Sequence, residues 1–234
     1  MALTPPSTTG TRSAARAGSL VLAALLLLAA GMRAAAADVE QRDFVTWIDG
    51  NKAGEYHMTI STQDDGTVSM TGQADAALKN VIHVTIWRYS YRGTEVWKEG
   101  RLIRFDSTCN DDGTPYTVTA VADREALRVR VNGRERSIRG DVWVTTYWRL
   151  PDAKYRNQAL PLLDADTGRD MAGTLQFVEN GQVRAAGQVI NCTHYRAVGT
   201  LTVDLWYDAS ERLVRQEWVE DGHRAVLELV RVGR

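Results

Sequence analysis

From residue 43 onward, apolar and polar residues alternate with period two almost without pause, as half-buried β-strands do. The densest stretch, residues 81–105, reads as two long strands. Val81, Trp87, Tyr89 and Tyr91 fall on one face, and Ile82, Val84 and Ile86 on the other. The second face then turns polar at Arg88, Ser90 and Arg92, and Arg92-Gly93-Thr94 has the chemistry of the turn expected to join the two strands. Before it, residues 44–48 run into the hairpin signal Asp49-Gly50-Asn51, 54–61 continue, and Asp64-Asp65-Gly66 leads to 67–74. After it come 116–122, 126–131, a turn at Asn132-Gly133, and 134–138. Further on, 175–179, Asn180-Gly181 and 182–190 predict a hairpin, and 194–207 one long strand. Residues 213–220, Asp221-Gly222 and 223–230 close the chain. Only residues 151–163 break the rhythm. Pro151-Asp152 can open a short helix with Tyr155, Ala159 and Leu160 on one side, which must dock on the sheet to persist. Strands at this spacing predict an all-β, mainly antiparallel meander in one domain.

The first 37 residues stand outside this pattern. Arg12 and Arg16 precede an apolar run at 20–30, and Ala35-Ala36-Ala37 offers a cleavage site, so 1–37 reads as a signal peptide and 38–234 as the domain. The run spans about 16 Å of helix, too short for a bilayer, so no transmembrane segment is expected after cleavage. A periplasmic or secreted location follows. Loss of Arg12, Arg16 and Arg33 leaves 25 basic against 29 acidic residues, a net of −4, which argues against nucleic acid. In an exported chain the two cysteines, Cys109 and Cys192, are expected to form one disulfide, worth about 4 kcal/mol of chain entropy.

Several signatures carry a resemblance. They are Ile48-Asp49-Gly50 with Gly54; Tyr89-x-Tyr91 with Glu95-x-Trp97-x-x-Gly100-x-Leu102; Thr146-Tyr147-Trp148; Leu162-Leu163-Asp164 with Thr167-Gly168; and Tyr195-Arg196, Gly199 and Leu205-Trp206-Tyr207-Asp208. Together they resemble an uncharacterised family of secreted bacterial β-proteins, a domain of unknown function. That family is distantly similar to the periplasmic lipoprotein-carrier (LolA/LolB-like) superfamily. The resemblance implies a strongly curved half-barrel sheet, here with one short helix on its concave side. It implies no catalytic residues.

Seven Trp and eight Tyr exceed what a modest core requires. Trp87, Tyr89, Tyr91, Trp97, Tyr147, Trp148 and Trp206 are the candidate lining of a concave site for a lipid, acyl chain or other apolar ligand. Trp143 and Tyr207 belong to the same aromatic group. The alternative is an envelope interaction or scaffold protein that recruits a partner through an edge strand. A hydrolase using Glu95, or the pair Cys192 and His194, is a further alternative. Glu95 and Glu99 can instead pair with Arg88, Arg92, Arg101 and Arg104 across the hairpin. His57, His83, His194 and His223 lack metal-site spacing, so neither metal nor cofactor is expected, though His83 and His194 could be neighbours. Asp164-x-Asp166-x-Gly168-x-Asp170 lacks the remaining parts of a calcium loop and reads as turn-forming aspartates.

Overall fold

Six reversals of this chain are made by two-residue turns ending in glycine. Asp49-Gly50, Glu99-Gly100, Asp112-Gly113, Asn132-Gly133, Ala186-Gly187 and Asp221-Gly222 all have positive φ at both positions. This backbone matches the right-handed twist of the flanking strands, and only glycine adopts the second position without cost. The structure is a computed structural model and describes residues 38–79, 82 and 84–233. The expected signal peptide, Val81 and His83 lie outside the described residues.

The first half comprises β1 (Asp38–Ile48), β2 (Asn51–Thr62), β3 (Val68–Lys79), β4 (Thr85–Lys98), β5 (Arg101–Asp111), β6 (Thr114–Asp123), β7 (Ala126–Val131) and β8 (Arg134–Arg139). The second comprises β9 (Trp143–Val144), β10 (Ala159–Leu163), β11 (Asp170–Ala185), β12 (Gln188–Val198), β13 (Thr202–Tyr207), β14 (Leu213–Glu220) and β15 (His223–Gly233). All join one open, curved sheet in the order β8-β7-β6-β5-β4-β3-β2-β1-β15-β14-β13-β12-β11-β10-β9. Two meanders are thus welded where the first strand pairs with the last, Phe44 opposite Leu229. The pairing is antiparallel except at β9 and β10. The all-β, curved-sheet expectation holds.

Several boundaries differ from the sequence reading. β4 runs straight through Arg92-Gly93-Thr94, and the chain turns six residues later at Glu99-Gly100. Gly93 is there for its inner face: a Cβ would collide with the Tyr91 hydroxyl, and at Gly72, its partner on β3, with that of Tyr56. Likewise β11 passes Asn180-Gly181 and turns at Ala186-Gly187, which lets Val183 and Ala185 be buried. The expected strand 194–207 is broken between β12 and β13. The expected helix at 151–163 shrinks to one 3-10 turn, Ala153–Tyr155, which buries no residue. Residues 159–163 are strand instead: Pro161 is unsuited to a helix interior, and Leu160, Leu162 and Leu163 are buried against β11.

Along β1 to β7 one face is buried in the strand's middle. Phe44, Tyr56, Met58, Met70, Tyr91, Trp97, Leu102, Phe105, Val118 and Leu127 point inward. The remaining interior is taken by the chain itself. Residues 142–150, between β8 and β10, contribute Val142, Trp143, Val144, Tyr147, Trp148 and Leu150 to the same cluster. This segment plugs the hollow side of the sheet.

Candidate functional site

The inner face of β4 carries, at every second position, Tyr89, Tyr91, Gly93, Glu95 and Trp97. Strand geometry alone sets that spacing. At its far end Glu95 is fully enclosed, 0% exposed. Its carboxylate accepts three hydrogen bonds: from the Thr146 hydroxyl (2.5 Å), the Trp97 indole (2.7 Å) and the Trp148 indole (3.0 Å). Two of these donors come from the plug. Burial pushes the Glu95 carboxyl above its ordinary value, and the three donors and the nearby Arg149 oppose that shift.

Arg149, next in the plug, lays its guanidinium over Trp97, Trp143 and Trp148 at 4.6, 4.7 and 5.1 Å from their ring centroids. Its Nε and Nη2 are buried without a hydrogen-bond partner among the described residues. Three indole faces stand in for water around the cation, while burial still works against its charge. The plug is anchored elsewhere too. Arg42 donates to the Trp148 carbonyl (2.5 Å) and the Tyr207 hydroxyl to the Tyr147 carbonyl (3.0 Å). Tyr147 holds φ +48°, a left-handed backbone that a bulky residue keeps only when its surroundings dictate it.

At the other end of the stripe Tyr89 donates to Asp166 (2.8 Å) and Ser107 to the Ala165 carbonyl (2.7 Å). These contacts tie the turn after β10 to the wall. Asp164 does act as a turn former, accepting from the amides of Asp166 and Thr167. Burial lifts the Asp166 carboxyl to about 7.

The seven predicted lining residues therefore separate. Tyr91, Trp97, Tyr147 and Trp148 are core, each 5% exposed or less, so they leave no open wall at their positions. Trp87 and Tyr89 are half-buried and stacked on each other, with the Trp87 indole donating to Asp111. Trp206 alternates with buried Leu205 and Tyr207, and so lies on the opposite face, stacked on His194 at 4.3 Å. The cross-hairpin charge ladder is not formed by Glu95, whose partners are indoles and a hydroxyl. Arg104 pairs with Asp106 instead. Cys109 and Cys192 are free and buried, on β5 and β12, strands eight places apart in the sheet, so the expected bridge is not made. Burial pushes their thiols to about 12 and about 11, which keeps both protonated at neutral pH. His194 is committed to Asp204, 2.7 Å away. Arg149 and Asp166 were not among the sequence candidates. An arginine directly after Thr-Tyr-Trp in an otherwise apolar run was the available signal for the first.

The family described as "Domain of unknown function (DUF6134)" matches residues 44–230. The chain belongs to this family. Its matched span takes in all of the strands that frame Glu95, and the DUF6134 plug with them. Among solved structures, this DUF6134 chain is similar to a beta-barrel-like protein of domain of unknown function DUF1849 from Brucella abortus. The TM-score is 0.60 at 9% identity, over 83% of this chain and 96% of that one. A lipoprotein candidate from Parabacteroides distasonis matches at TM-score 0.37 and 9% identity, over 84% and 95%. No curated protein matches the sequence. The Brucella likeness shows the fold: a curved, barrel-like sheet.

Proposed function

We propose that this DUF6134 protein is a non-enzymatic binding protein of the cell envelope, with its partner on the outer wall or edge and its interior serving as scaffold. One observation carries this reading. The hollow side, where an apolar ligand would sit, is occupied by Trp97, Trp143, Tyr147 and Trp148, none more than 5% exposed. The signal-like N-terminal sequence supports an envelope location. Glu95 is sealed from solvent with all three donors engaged, and the cysteines are held as thiols, which speaks against hydrolysis through either.

The second reading, a carrier of a lipid or acyl chain, needs the plug to move. The buried, incompletely hydrogen-bonded Arg149 and the left-handed Tyr147 favour it, because both make the closed plug less stable than a plain apolar one. Titration with a fluorescent fatty acid separates the two. No saturable uptake is expected. Saturable uptake that Trp148→Ala weakens would overturn the first reading in favour of the second.

A further inference from the structure

The outer face of β2 to β6 is predominantly polar. Its side chains form continuous rows across five strands. One runs Thr59, Thr71, Thr94, Asp106, Thr119, and the next His57, Gln73, Arg92, Thr108, Thr117. Each row spans about 19 Å at strand spacing, and successive rows lie about 7 Å apart along the strands. They floor a depression of about 550 Å³, centred on the Gly72 and Gly93 pair. A second depression of about 710 Å³ adjoins it along β3 to β5, lined by Asp75, Arg88, Ser90, Asn110 and Asp112, with Tyr89 at its margin. Beneath the first, the rings of Tyr56 and Tyr91 brace the glycine pair from inside.

Threonine is common on strand faces; the charges add to what this region can recognise. Twelve of the twenty described arginines have acidic partners. Arg88 and Arg92, on the outer stripe of β4, have no hydrogen bond or ion pair to their guanidinium groups among the described residues. One lies in each depression, about 14 Å from the other along the strand. The lining also carries Asp75, Asp106 and Asp112, so neither sign of charge dominates. A strongly anionic or cationic chain would meet a like charge in each depression. An acyl chain would leave rows of hydroxyl and amide groups desolvated without partners. The surface complements an elongated, uncharged ligand with donors and acceptors throughout.

We propose that the outer wall of β2 to β6 binds a neutral oligosaccharide chain, with Arg88 and Arg92 donating to its hydroxyl and ring oxygens and the threonine rows completing the contacts. This rests on the outside-binding reading above and names its ligand class.

The test uses residues 38–234 and three neutral hexasaccharides, maltohexaose, cellohexaose and N-acetylchitohexaose, followed by amide chemical shifts. Saturable binding to at least one is expected, with shifts confined to β2 to β6 and insensitive to about 0.5 M salt, as a neutral ligand requires. Arg92→Ala, and separately Thr71→Val with Thr94→Val, should each weaken it about tenfold at unchanged melting temperature. Overturning results are no binding to any of the three, tighter binding of oligogalacturonate or chitosan hexamers, or undiminished binding by both variants. A failed titration with an empty interior overturns only the oligosaccharide. A lipid found inside overturns the outside-binding reading itself.

Discussion

Strand β4 shows two surfaces that obey different rules. Inward it presents Tyr91, Glu95 and Trp97, each sealed, with every oxygen of Glu95 matched to a donor. Outward it presents Arg88, Ser90, Arg92 and Thr94, exposed or half-exposed, with both guanidinium groups unpaired among the described residues. The two sets interleave along one strand, so neighbours in sequence have opposite fates. The inner set resembles a site by composition, with a carboxylate, two indoles and a nearby cation, yet the Glu95 carboxylate and both indoles are spent on one another. The outer set resembles ordinary solvated surface, yet its groups are unspent. Chemistry-bearing residues mark a functional surface only when their hydrogen-bonding capacity is left over.

The largest expected break in this contrast is Glu95→Ala. It leaves Thr146 and two indoles as buried donors without an acceptor, and it removes the charge facing Arg149. Loss of about 3–5 kcal/mol is expected by urea unfolding. Trp148→Ala should cost a similar amount, about 3–5 kcal/mol, because it both opens a cavity and deletes a donor. Gly93→Ala follows at about 1–3 kcal/mol, since the new methyl meets the Tyr91 hydroxyl. Combined with Tyr91→Phe the cost should be less than additive, as a double-mutant cycle would show. On the outer face Arg92→Ala should change stability by no more than about 0.5 kcal/mol.

Proton linkage sharpens the same contrast. Asp166 has its carboxyl raised from 3.8 to about 7 by burial, with Asp164 and Asp111 adding to the shift and Tyr89 opposing it. The folded state therefore binds more protons than the unfolded state between those values. Stability is fully present below the lower value and falls as pH rises through about 7. The urea midpoint should be higher near pH 5.5 than near pH 8, and Asp166→Asn should flatten that difference. Glu95, raised in the same direction, will keep part of the slope.

Much of the architecture was legible because period-two alternation and Asp-Gly or Asn-Gly pairs are local signals, as at Asp49-Gly50, Asn132-Gly133 and Asp221-Gly222. Two glycine signals misled for a reason that is not local. Gly93 and Gly181 lie within long strands; at Gly93 the glycine makes room for Tyr91 on the inner face, a tertiary need that mimics a turn. The helix expected at 151–163 failed similarly: Leu160, Leu162 and Leu163 gain more from burial beside β11 than a short helix could offer. At the candidate site, Trp97 and Trp148 were visible as aromatics. Trp97 donates to Glu95 from two residues away on the same strand, but the donations of Thr146 and Trp148 come from a plug that returns 51 and 53 residues later, which no spacing along β4 discloses. Trp206 went to the outer face because its strand alternates with Leu205 and Tyr207, and aromatic character alone does not choose a side.

The central claim is that the hollow of this sheet is filled by its own residues 142–150. The most direct measurement is the native mass of the protein isolated from the envelope of its own source. A mass equal to the polypeptide alone is the predicted result. A stoichiometric lipid or acyl-chain adduct that survives gentle desolvation would contradict it.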